Sequence, residues 1–210
     1  MILKDISFSD PQQNIAFDEE LLRLADKEGA GPVLRFWESP CVFIVVGRIG
    51  RIEEDVKIKA VESDGVPILR RASGGGTVVQ GPGCLNYTLV LSKQEYPVLN
   101  DLRKSYVWIS QKVIDALKSL GVEAVFRPTS DIALAKNDKK FSGNAQKRGK
   151  NYILHHGTIL YNMDLSLIPK YLAIPKDVPD YRKGRSHSDF VTNIPIDPAA
   201  FKAALHWQFQ

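Results

Sequence analysis

Three consecutive glycines follow two arginines in the segment RRASGGGT at positions 70–77, and this segment constrains the backbone more than any other. Consecutive glycines cost conformational entropy on folding, so a compact chain carries them where the backbone needs a positive φ or approaches a ligand closely. Arginines beside such a loop favour an anionic ligand, either a carboxylate or a phosphate. The other interpretation is a surface β-turn with incidental basic neighbours, since glycine is common in turns.

The composition is that of an ordinary globular protein, with 44% hydrophobic and 25% charged residues among 210. This length predicts a single domain that spans 1–210. The net charge of +4 is mild compared with the dense basic surface of a nucleic-acid-binding protein. No apolar run approaches the roughly 20 residues that a membrane span needs. We therefore expect neither a nucleic-acid partner nor a membrane partner.

The cysteines and the N-terminal residues indicate the cellular compartment. Cys41 and Cys84 give neither a disulfide framework nor a metal-ligand spacing, which suits a reducing cytosol. The first residues, MILKDISFSDPQQ, lack the apolar segment of a secretory signal. We expect a cytoplasmic protein in which Cys84 is a small buried packing residue and Cys41 lies inside an apolar strand.

The order of the predicted elements favours an α+β fold, a central mixed β-sheet flanked by helices. The first helix begins after Asp10 and ends at Gly29, with Phe17, Leu21 and Leu24 on one face. Further helices are predicted at 53–64, 101–120 and 165–172 and from 198 onward. Strands are predicted at 33–37, 41–46, 66–71, 77–79, 85–91, 122–126, 131–136, 140–146, 152–155 and 158–162.

A second informative segment lies between Asp131 and Thr158. Lys140 begins a strand just after a turn, and the small residues SGNA follow it at 142–145, which lets a ligand or another backbone come close. A lysine in this place could contact a carboxylate or phosphate, or it could be a solvated hairpin charge like Lys139. Asp131 could hold Mg²⁺ or cap the turn. His155 and His156 must point to opposite faces of their strand, so only one of them can face a site.

With both segments in view, the chain resembles the lipoate–protein ligase A branch of the biotin/lipoate ligase superfamily. The resemblance rests on blocks that keep their order and spacing along most of the chain. The blocks are GR at 47–48, RRASGGGTV at 70–78, LNY at 85–87, DI at 131–132, KFSGNA at 140–145 and HHGTIL at 155–160. Biotin as the substrate is a minor alternative, because GRIGR at 47–51 is only faintly similar to the loop of biotin ligases.

The resemblance implies a sheet like that of class II aminoacyl-tRNA synthetases and biotin ligases, and a reaction in two steps. ATP, with Mg²⁺, would activate the lipoate carboxylate as lipoyl-AMP. A lysine amine of a lipoyl carrier domain would then attack the mixed anhydride. The carrier would be a 2-oxoacid dehydrogenase E2 or a glycine cleavage H protein. No covalent enzyme intermediate is required.

The resemblance also implies roles for particular residues. Lys140 would be catalytic, stabilising the charge that grows on the carboxylate and α-phosphate oxygens. Asp131 would hold Mg²⁺ or orient the nucleotide, and Arg71 and Ser73 would bind near the phosphate or the acyl carbonyl. The other residues implied in substrate or ATP binding are Gly74, Gly75, Gly76, Thr77, Asn86, Ser142, Gly143, Ala145, His156, Gly157 and Thr158.

The chain departs from the family pattern in two respects. Full-length ligases carry a C-terminal accessory domain, which is a separate polypeptide in some relatives, so we expect that a separate subunit could be needed for adenylation. The octanoyltransferase branches use a cysteine nucleophile, and the matching positions here, in VFRPTS at 125–130 and LHH at 154–156, contain none. The alternatives are an ATP-independent octanoyl- or lipoyl-transferase and a partner-dependent lipoate-binding module.

The segment 179–190 is rich in charge and has a weak apolar pattern. Two interpretations remain open for it. It could be a mobile adenylate-binding loop that orders when ligand binds, or it could be a solvated surface connection.

Overall fold

A computed structural model describes residues 1–176 and 178–210 of the chain. The strands are β1 (Ile2–Asp5), β2 (Val33–Trp37), β3 (Phe43–Val46), β4 (Ile68–Arg70), β5 (Val78–Gln80), β6 (Cys84–Ser92), β7 (Ala124–Arg127), β8 (Asp131–Leu134), β9 (Lys140–Arg148) and β10 (Tyr152–Leu160). The helices are α1 (Pro11–Glu28), α2 (Ile52–Asp55), α3 (Ile58–Ser63), α4 (Leu102–Ser119), α5 (Leu167–Tyr171), α6 (His187–Phe190) and α7 (Pro198–Trp207). Pro97–Asn100 and Asp180–Arg182 form 3₁₀ turns.

Within the described residues the strands form two sheets. The larger sheet has seven strands in the order β1-β2-β6-β10-β9-β8-β7, and the smaller has three in the order β4-β3-β5. β1 pairs with β2, and β3 with β4, in parallel, whereas the other pairings are antiparallel. The predicted α+β fold with a central mixed sheet flanked by helices is confirmed.

The two faces of the large sheet pack against different helices. Alternate residues of β6 from Leu85 to Leu91 join the main apolar core with α4 and α7. Val90 and Leu154 lie on the opposite face and pack against Leu21 and Leu22 of α1. Because side chains alternate along a strand, Asn86 on β6 and the even-numbered residues of β10 also lie on the α1 face. The candidate site lies on this face, beside α1.

Local sequence signals explain where the long helices begin and end. The Asp10 side chain accepts a hydrogen bond from the backbone N–H of Gln12 at 2.9 Å, and Pro11 fills the first helical position of α1. Gly29 ends α1 with a φ of 68°, as predicted. Asp101 caps α4 in the same way, accepting from the N–H of Lys104 at 2.9 Å.

Two predicted elements differ from the structure. The single helix predicted at 53–64 is two short helices, because Val56 is extended between them and forms a bridge with Leu172. The two strands predicted at 152–155 and 158–162 are the single strand β10, which pairs through Gly157 with both β6 and β9. Gly157 interrupted the strand pattern of the sequence, but its pairing with both neighbouring strands keeps β10 continuous.

Two predicted environments differ from the structure. Leu21 is buried and Phe17 packs against the same cluster, as predicted, but Leu24 is only half-buried, and Asn14, Asp18 and Ala25 complete the buried face of α1. Cys41 is exposed and precedes β3, whereas the prediction placed it inside an apolar strand. Cys84 is buried, as predicted. None of the described helices has both the length and the apolar composition that crossing a membrane needs.

Candidate active site

A cavity of about 560 Å³ opens on the α1 face of the large sheet. Its walls come from α1 and α4, from the glycine loop between β4 and β5, from β2, β3, β5, β6, β8, β9 and β10, and from residues after α5. Most residues that the sequence predicted for the site line this cavity. These residues are Arg71, Gly75, Gly76, Thr77, Asn86, Asp131, Lys140, Gly143, Ala145, His156, Gly157 and Thr158.

Arg71 organises the glycine loop from within. Its Nη2 donates to the carbonyl oxygens of Gly74 and Gly76, each at 2.7 Å, and its Nη1 donates to that of Val45 at 3.3 Å. Its Nε donates to the hydroxyl of Ser73 at 3.0 Å. Burial lowers the pKa of Arg71 to about 10, a value at which it is still charged at neutral pH. The guanidinium therefore holds the loop and also lies on the cavity wall.

Close backbone contact explains two of the glycines. Gly75 has a φ of 86°, a conformation that favours glycine. A Cβ on Gly47 would lie 2.1 Å from the carbonyl oxygen of Gly75, so the loop after β3 and the glycine loop interlock. The N–H of Arg48 also donates to the Ser73 carbonyl at 2.8 Å. The GR dipeptide at 47–48 therefore packs against the glycine loop and hydrogen-bonds to it.

Lys140, Asp131 and Tyr181 form a connected group at one side of the cavity. The ammonium of Lys140 lies 2.8 Å from Oδ1 of Asp131, and the Tyr181 hydroxyl donates to Oδ2 at 2.7 Å. Burial, and then the negative charge of Asp131, raises the pKa of Tyr181, so its hydroxyl stays protonated. Lys140 is not a solvated hairpin charge, since its side chain is 27% exposed and faces the cavity. Asp131 does not cap the turn, because its oxygens serve these two partners.

Gly143 leaves room for the lysine. A Cβ at this position would lie 3.1 Å from Nζ and 3.2 Å from Cε of Lys140. The small residues after Lys140 were predicted to admit a ligand or another backbone. At Gly143 this space is occupied by the side chain of Lys140, which extends along β9 past Gly143 to Asp131.

His156 connects the glycine loop to a buried carboxylate on α1. Its Nε2 is 2.6 Å from the Ser73 hydroxyl, and its Nδ1 is 3.7 Å from Oδ2 of Asp18. Asp18 in turn accepts from Arg35 at 2.6 Å and from Thr88 at 2.7 Å. The carboxylate near Nδ1 favours the tautomer with its proton there, which leaves Nε2 to accept from Ser73.

The Ser73 hydroxyl is turned away from the cavity. Ser73 is 2% exposed and is absent from the cavity wall, as are Gly74 and Ser142 among the predicted residues. Its oxygen also accepts from Arg71, so both of its bonds hold the loop in place. The Ser73–His156–Asp18 alignment therefore has the order of a catalytic triad but does not present a nucleophile to the cavity.

His155 faces the other side of β10, as the alternation of the strand required. It is fully buried, contacts Gln146 at 3.1 Å and stacks against Tyr87. Burial lowers its pKa to about 3, so this imidazole is neutral at physiological pH. His156, rather than His155, is the histidine that faces the site.

Asn144 and Tyr87 form a packed layer beneath the cavity. The Tyr87 hydroxyl donates to Oδ1 of Asn144, whose Nδ2 donates to the Ser130 carbonyl at 2.8 Å. A Cβ on Gly157 would collide with both the Asn144 oxygen and the Tyr87 ring. Gly157 is therefore required by this layer, in addition to any contact with a ligand from its cavity side.

The sequence did not single out several residues of the cavity wall. Asp18 could have been found from its spacing, because it lies three and four positions before Leu21 and Leu22 on the buried face of α1. Glu19 accepts from the backbone N–H of Ala72 at 3.0 Å and so links α1 to the glycine loop. No local pattern marks Ile15, Trp37, Val45 and Val78, whereas Arg182 and Phe190 belong to the charged segment 179–190, for which two interpretations were open.

The chain offers little for a metal held by protein alone. In residues 1–176 and 178–210 no three histidine, cysteine or acidic side chains are grouped closely enough to hold an ion. Both oxygens of Asp131 are engaged, one of them by an ammonium group at 2.8 Å. The residues present do not fit a resident Mg²⁺ in this arrangement.

Neither cysteine lines the cavity within the described residues. Burial raises the pKa of the Cys84 thiol to about 12, which keeps it protonated and unreactive. Cys41 is exposed near Ser9 and Ser39, outside the cavity wall.

Comparison with known proteins places this architecture among lipoate ligases. The chain is 36% identical over 166 residues to a probable lipoate-protein ligase A of Mycoplasma genitalium, which covers 79% of this chain and 47% of that protein. It is 27% identical over 197 residues to the octanoyltransferase LipM of Oceanobacillus iheyensis, covering 86% of this chain and 71% of that one. The chain thus spans about half the length of the Mycoplasma relative.

Solved structures share the fold. A lipoate-protein ligase A bound with ATP superposes with a TM-score of 0.81 at 24% identity, covering 99% of this chain and 83% of that one. The bipartite lipoate protein ligase of Thermoplasma acidophilum, studied with its E2 lipoyl domain, gives 0.79 at 24% identity, covering 99% and 81%. The family model described as the lipoyl protein ligase A/B catalytic domain matches residues 10–209. Because this match covers nearly all of the chain, the chain belongs to the lipoyl protein ligase A/B catalytic domain family.

Proposed function

We propose that this chain is the catalytic domain of a lipoate–protein ligase, which activates lipoate with ATP and transfers the lipoyl group to a lysine of a carrier domain. The observation that carries the proposal is the place of Lys140. Its ammonium lies on the cavity wall that the glycine loop borders, and Asp131 holds it at 2.8 Å. Family membership supports the class of reaction, and this geometry supplies a cation where negative charge would develop.

In the first step the lipoate carboxylate oxygen attacks the α-phosphorus of ATP, and the bond to the pyrophosphate oxygen breaks. Lys140 contacts the oxygens that share the growing charge. The ion pair with Asp131 keeps the ammonium in place before the substrates arrive, so little reorganisation is needed during the reaction. The products of this step are lipoyl-AMP and pyrophosphate.

In the second step the amine of the carrier lysine attacks the lipoyl carbonyl. The amide bond forms, the bond from the carbonyl carbon to the AMP oxygen breaks, and the amine loses a proton. The same ammonium stabilises the negative charge on the carbonyl oxygen and on the departing phosphate. Neither step needs a nucleophile from the protein, which agrees with a cavity wall that includes no thiol within the described residues.

Apolar side chains give the acyl chain a wall to lie against. Ile15, Trp37, Val45 and Val78 line the cavity and belong to one apolar cluster with Phe43. Burying an eight-carbon chain there would contribute about 0.8 kcal/mol for each methylene removed from water. A medium-length acyl substrate such as lipoate is therefore favoured over a short one.

Mg²⁺ enters this proposal with the nucleotide and not as an ion held by the protein. Magnesium commonly binds through substrate phosphates and one or two carboxylates, and it keeps several waters. Asp131 is the carboxylate that contacts Lys140, and it would have to release Lys140 or Tyr181 to join the ion. We assign no catalytic step to the ion.

The proposed carrier is a lipoyl domain, of the 2-oxoacid dehydrogenase E2 or glycine cleavage H protein type. A bipartite ligase of the same fold has been studied with its E2 lipoyl domain, which supports this type of partner. That relative is bipartite, which also supports a separate accessory subunit. We place both partners, and a cytoplasmic location, within the proposal.

The second candidate function is acyl transfer from an octanoyl or lipoyl carrier without ATP. The similarity to octanoyltransferase LipM over 86% of the chain favours it. Against it stands the position of the cysteines, since Cys84 is buried and Cys41 lies away from the cavity wall.

Incubation of the purified chain with lipoate, Mg²⁺, ATP and an apo lipoyl domain tests the proposal. We expect AMP release in equal amount to the lipoyl mass added to the carrier, with the accessory subunit supplied in a parallel reaction. Modification from octanoyl carrier protein without ATP would instead establish the second candidate. Lipoate binding with neither product, even with the accessory subunit present, would reduce the chain to a lipoate-binding module.

A further inference from the structure

Arg182 is a buried cation with an unused donor. The residue is 4% exposed and lines the cavity, and its Nε donates to the Arg185 carbonyl at 2.8 Å. Its Nη2 is buried and has no hydrogen-bond partner among the described residues. An unpaired buried donor on a charged group is unfavourable, so a structure keeps one where something from outside completes it.

The segment around Arg182 holds this side chain in one place. The guanidinium lies 4.9 Å from the centre of the Phe190 ring, and Phe190 also lines the cavity. Arg185 fastens the segment to the turn between β8 and β9 through the carbonyls of Asn137 and Asp138. Tyr181 fastens it to Asp131. The donor therefore lies on a segment that is bonded to Asp131 and to the β8–β9 turn.

The other cations of the cavity are already satisfied. Arg71 donates to the carbonyls of the glycine loop, and Lys140 is paired with Asp131. Within residues 1–176 and 178–210, no acidic side chain forms an ion pair with Arg182. Burial lowers the pKa of Arg182, as expected for a charge removed from water without compensation. The missing partner is an anion.

The order of the strands indicates which part of the substrates reaches Arg182. Trp37 lies on β2 and Asp131 on β8, four strands apart in the sheet, which is about 19 Å at the usual strand spacing. The apolar wall is at the β2 side, Lys140 is on β9, and the segment of Arg182 is bonded to Asp131 on β8 and to the β8–β9 turn. A ligand with its acyl chain on the apolar wall and its carboxylate at Lys140 would extend its phosphates toward Arg182.

We propose that Arg182 binds a phosphate oxygen of the nucleotide, through the planar guanidinium fork that suits this group. This inference rests on the proposed function for the identity of the ligand. The phosphate could be the α-phosphate, which stays in the adenylate, or one of the two that leave as pyrophosphate. The two sources share the same chemistry and are separated by experiment.

Calorimetric titration of the purified chain with inorganic pyrophosphate, AMP and lipoate tests the assignment. In the Arg182→Gln variant we expect the affinity for at least one phosphate ligand to fall by about 10- to 100-fold, as for a lost hydrogen bond to a charged group. The affinity for lipoate should be unchanged. Loss for pyrophosphate alone assigns the leaving phosphates, whereas loss for AMP assigns the α-phosphate.

A matched control separates the contact from general charge. Lys183 is the next residue and is exposed, with a φ of 51° that asparagine tolerates. Lys183→Asn removes one positive charge from the same segment and should bind every ligand as the parent does. If Arg182→Gln shows no cooperative unfolding transition, Arg182→Lys takes its place. This variant keeps the positive charge but lacks the guanidinium fork, so it should still weaken phosphate binding.

Equal phosphate affinities in the parent and the Arg182 variants would overturn the proposal. So would a parent chain that binds neither pyrophosphate nor AMP, or an equal loss for lipoate, which would indicate a collapsed segment. These titrations need no turnover. The chain could bind phosphate through Arg182 and yet release no AMP. That result would support this inference and contradict the proposed function.

Discussion

Replacing Gly47, which does not itself line the cavity, with alanine should displace the glycine loop, which does. The added Cβ would lie 2.1 Å from the Gly75 carbonyl oxygen, where an ordinary contact begins near 3.4 Å. The loop must therefore move by about 1 Å, and Gly75 lies between the two carbonyls that Arg71 Nη2 binds at 2.7 Å. Overpacking of this kind costs about 1–3 kcal/mol of unfolding free energy. A 1 Å displacement of a positioning loop lowers catalytic rates by roughly 10²-fold.

The measurements are thermal unfolding and lipoate-dependent AMP formation, with Gly74→Ala as the matched control. A Cβ on Gly74 meets nothing within 4 Å, its φ is not in the left-handed region, and the residue is not on the cavity wall. This variant should keep its activity and gain up to about 1 kcal/mol through the unfolded state. We expect Gly47→Ala to melt lower by about 2–4 °C for each kcal/mol lost. Equal activity and equal melting temperatures in the two variants would refute the interlocking of the loops.

Three further predictions concern the cation, the thiol and the buried imidazole. Lys140→Ala should lower the rate of AMP formation by about 10²–10³-fold without loss of fold, whereas Lys139→Ala should leave this rate unchanged. A near-normal rate in the Lys140 variant would contradict the assignment. Cys84→Ser should keep its activity and lose about 1–3 kcal/mol in urea unfolding, because a hydroxyl costs more free energy to bury than a thiol; inactivation of a folded variant would instead indicate a thioester mechanism. His155 has a folded pKa of about 3 against an ordinary 6.5, so the unfolded state binds the extra proton between these values and stability falls as the pH drops through this window. The slope from this group approaches about 1.4 kcal/mol per pH unit, and His155→Asn should remove it; identical pH profiles of unfolding would show that the imidazole is not buried neutral.

Signals that act locally could be predicted from the sequence. Asp10 with Pro11 marked the start of α1, and Gly29 marked its end, because caps and proline act on the adjacent turn. Alternation in a strand required that only one of His155 and His156 face the site, since neighbouring side chains point to opposite faces. Residues of the glycine loop and Lys140 line one cavity, and the site roles that the family resemblance implied for them stay predictions.

What depends on contacts between distant segments could not be predicted. Arg71 was expected to face a ligand, but four of its hydrogen bonds go to carbonyls of its own loop and of β3, which only the folded register brings within reach. Gly157 was assigned to ligand contact, whereas the Asn144 and Tyr87 side chains fill the space beside it. Arg182 lies in a segment without periodicity, and it packs against the Phe190 ring, a contact that only the folded segment forms.

The hydrogen bonds from Arg71 to the carbonyls of Gly74 and Gly76 have a consequence for ligand affinity. Fixing a flexible residue costs about 1–2 kcal/mol of conformational entropy, and three glycines have more freedom to lose than other residues. Here that cost belongs to the folding of the protein, since the bonds that order the loop come from Arg71 of the same chain. Substrate binding then meets a preorganised surface, and its free energy is not reduced by ordering the loop.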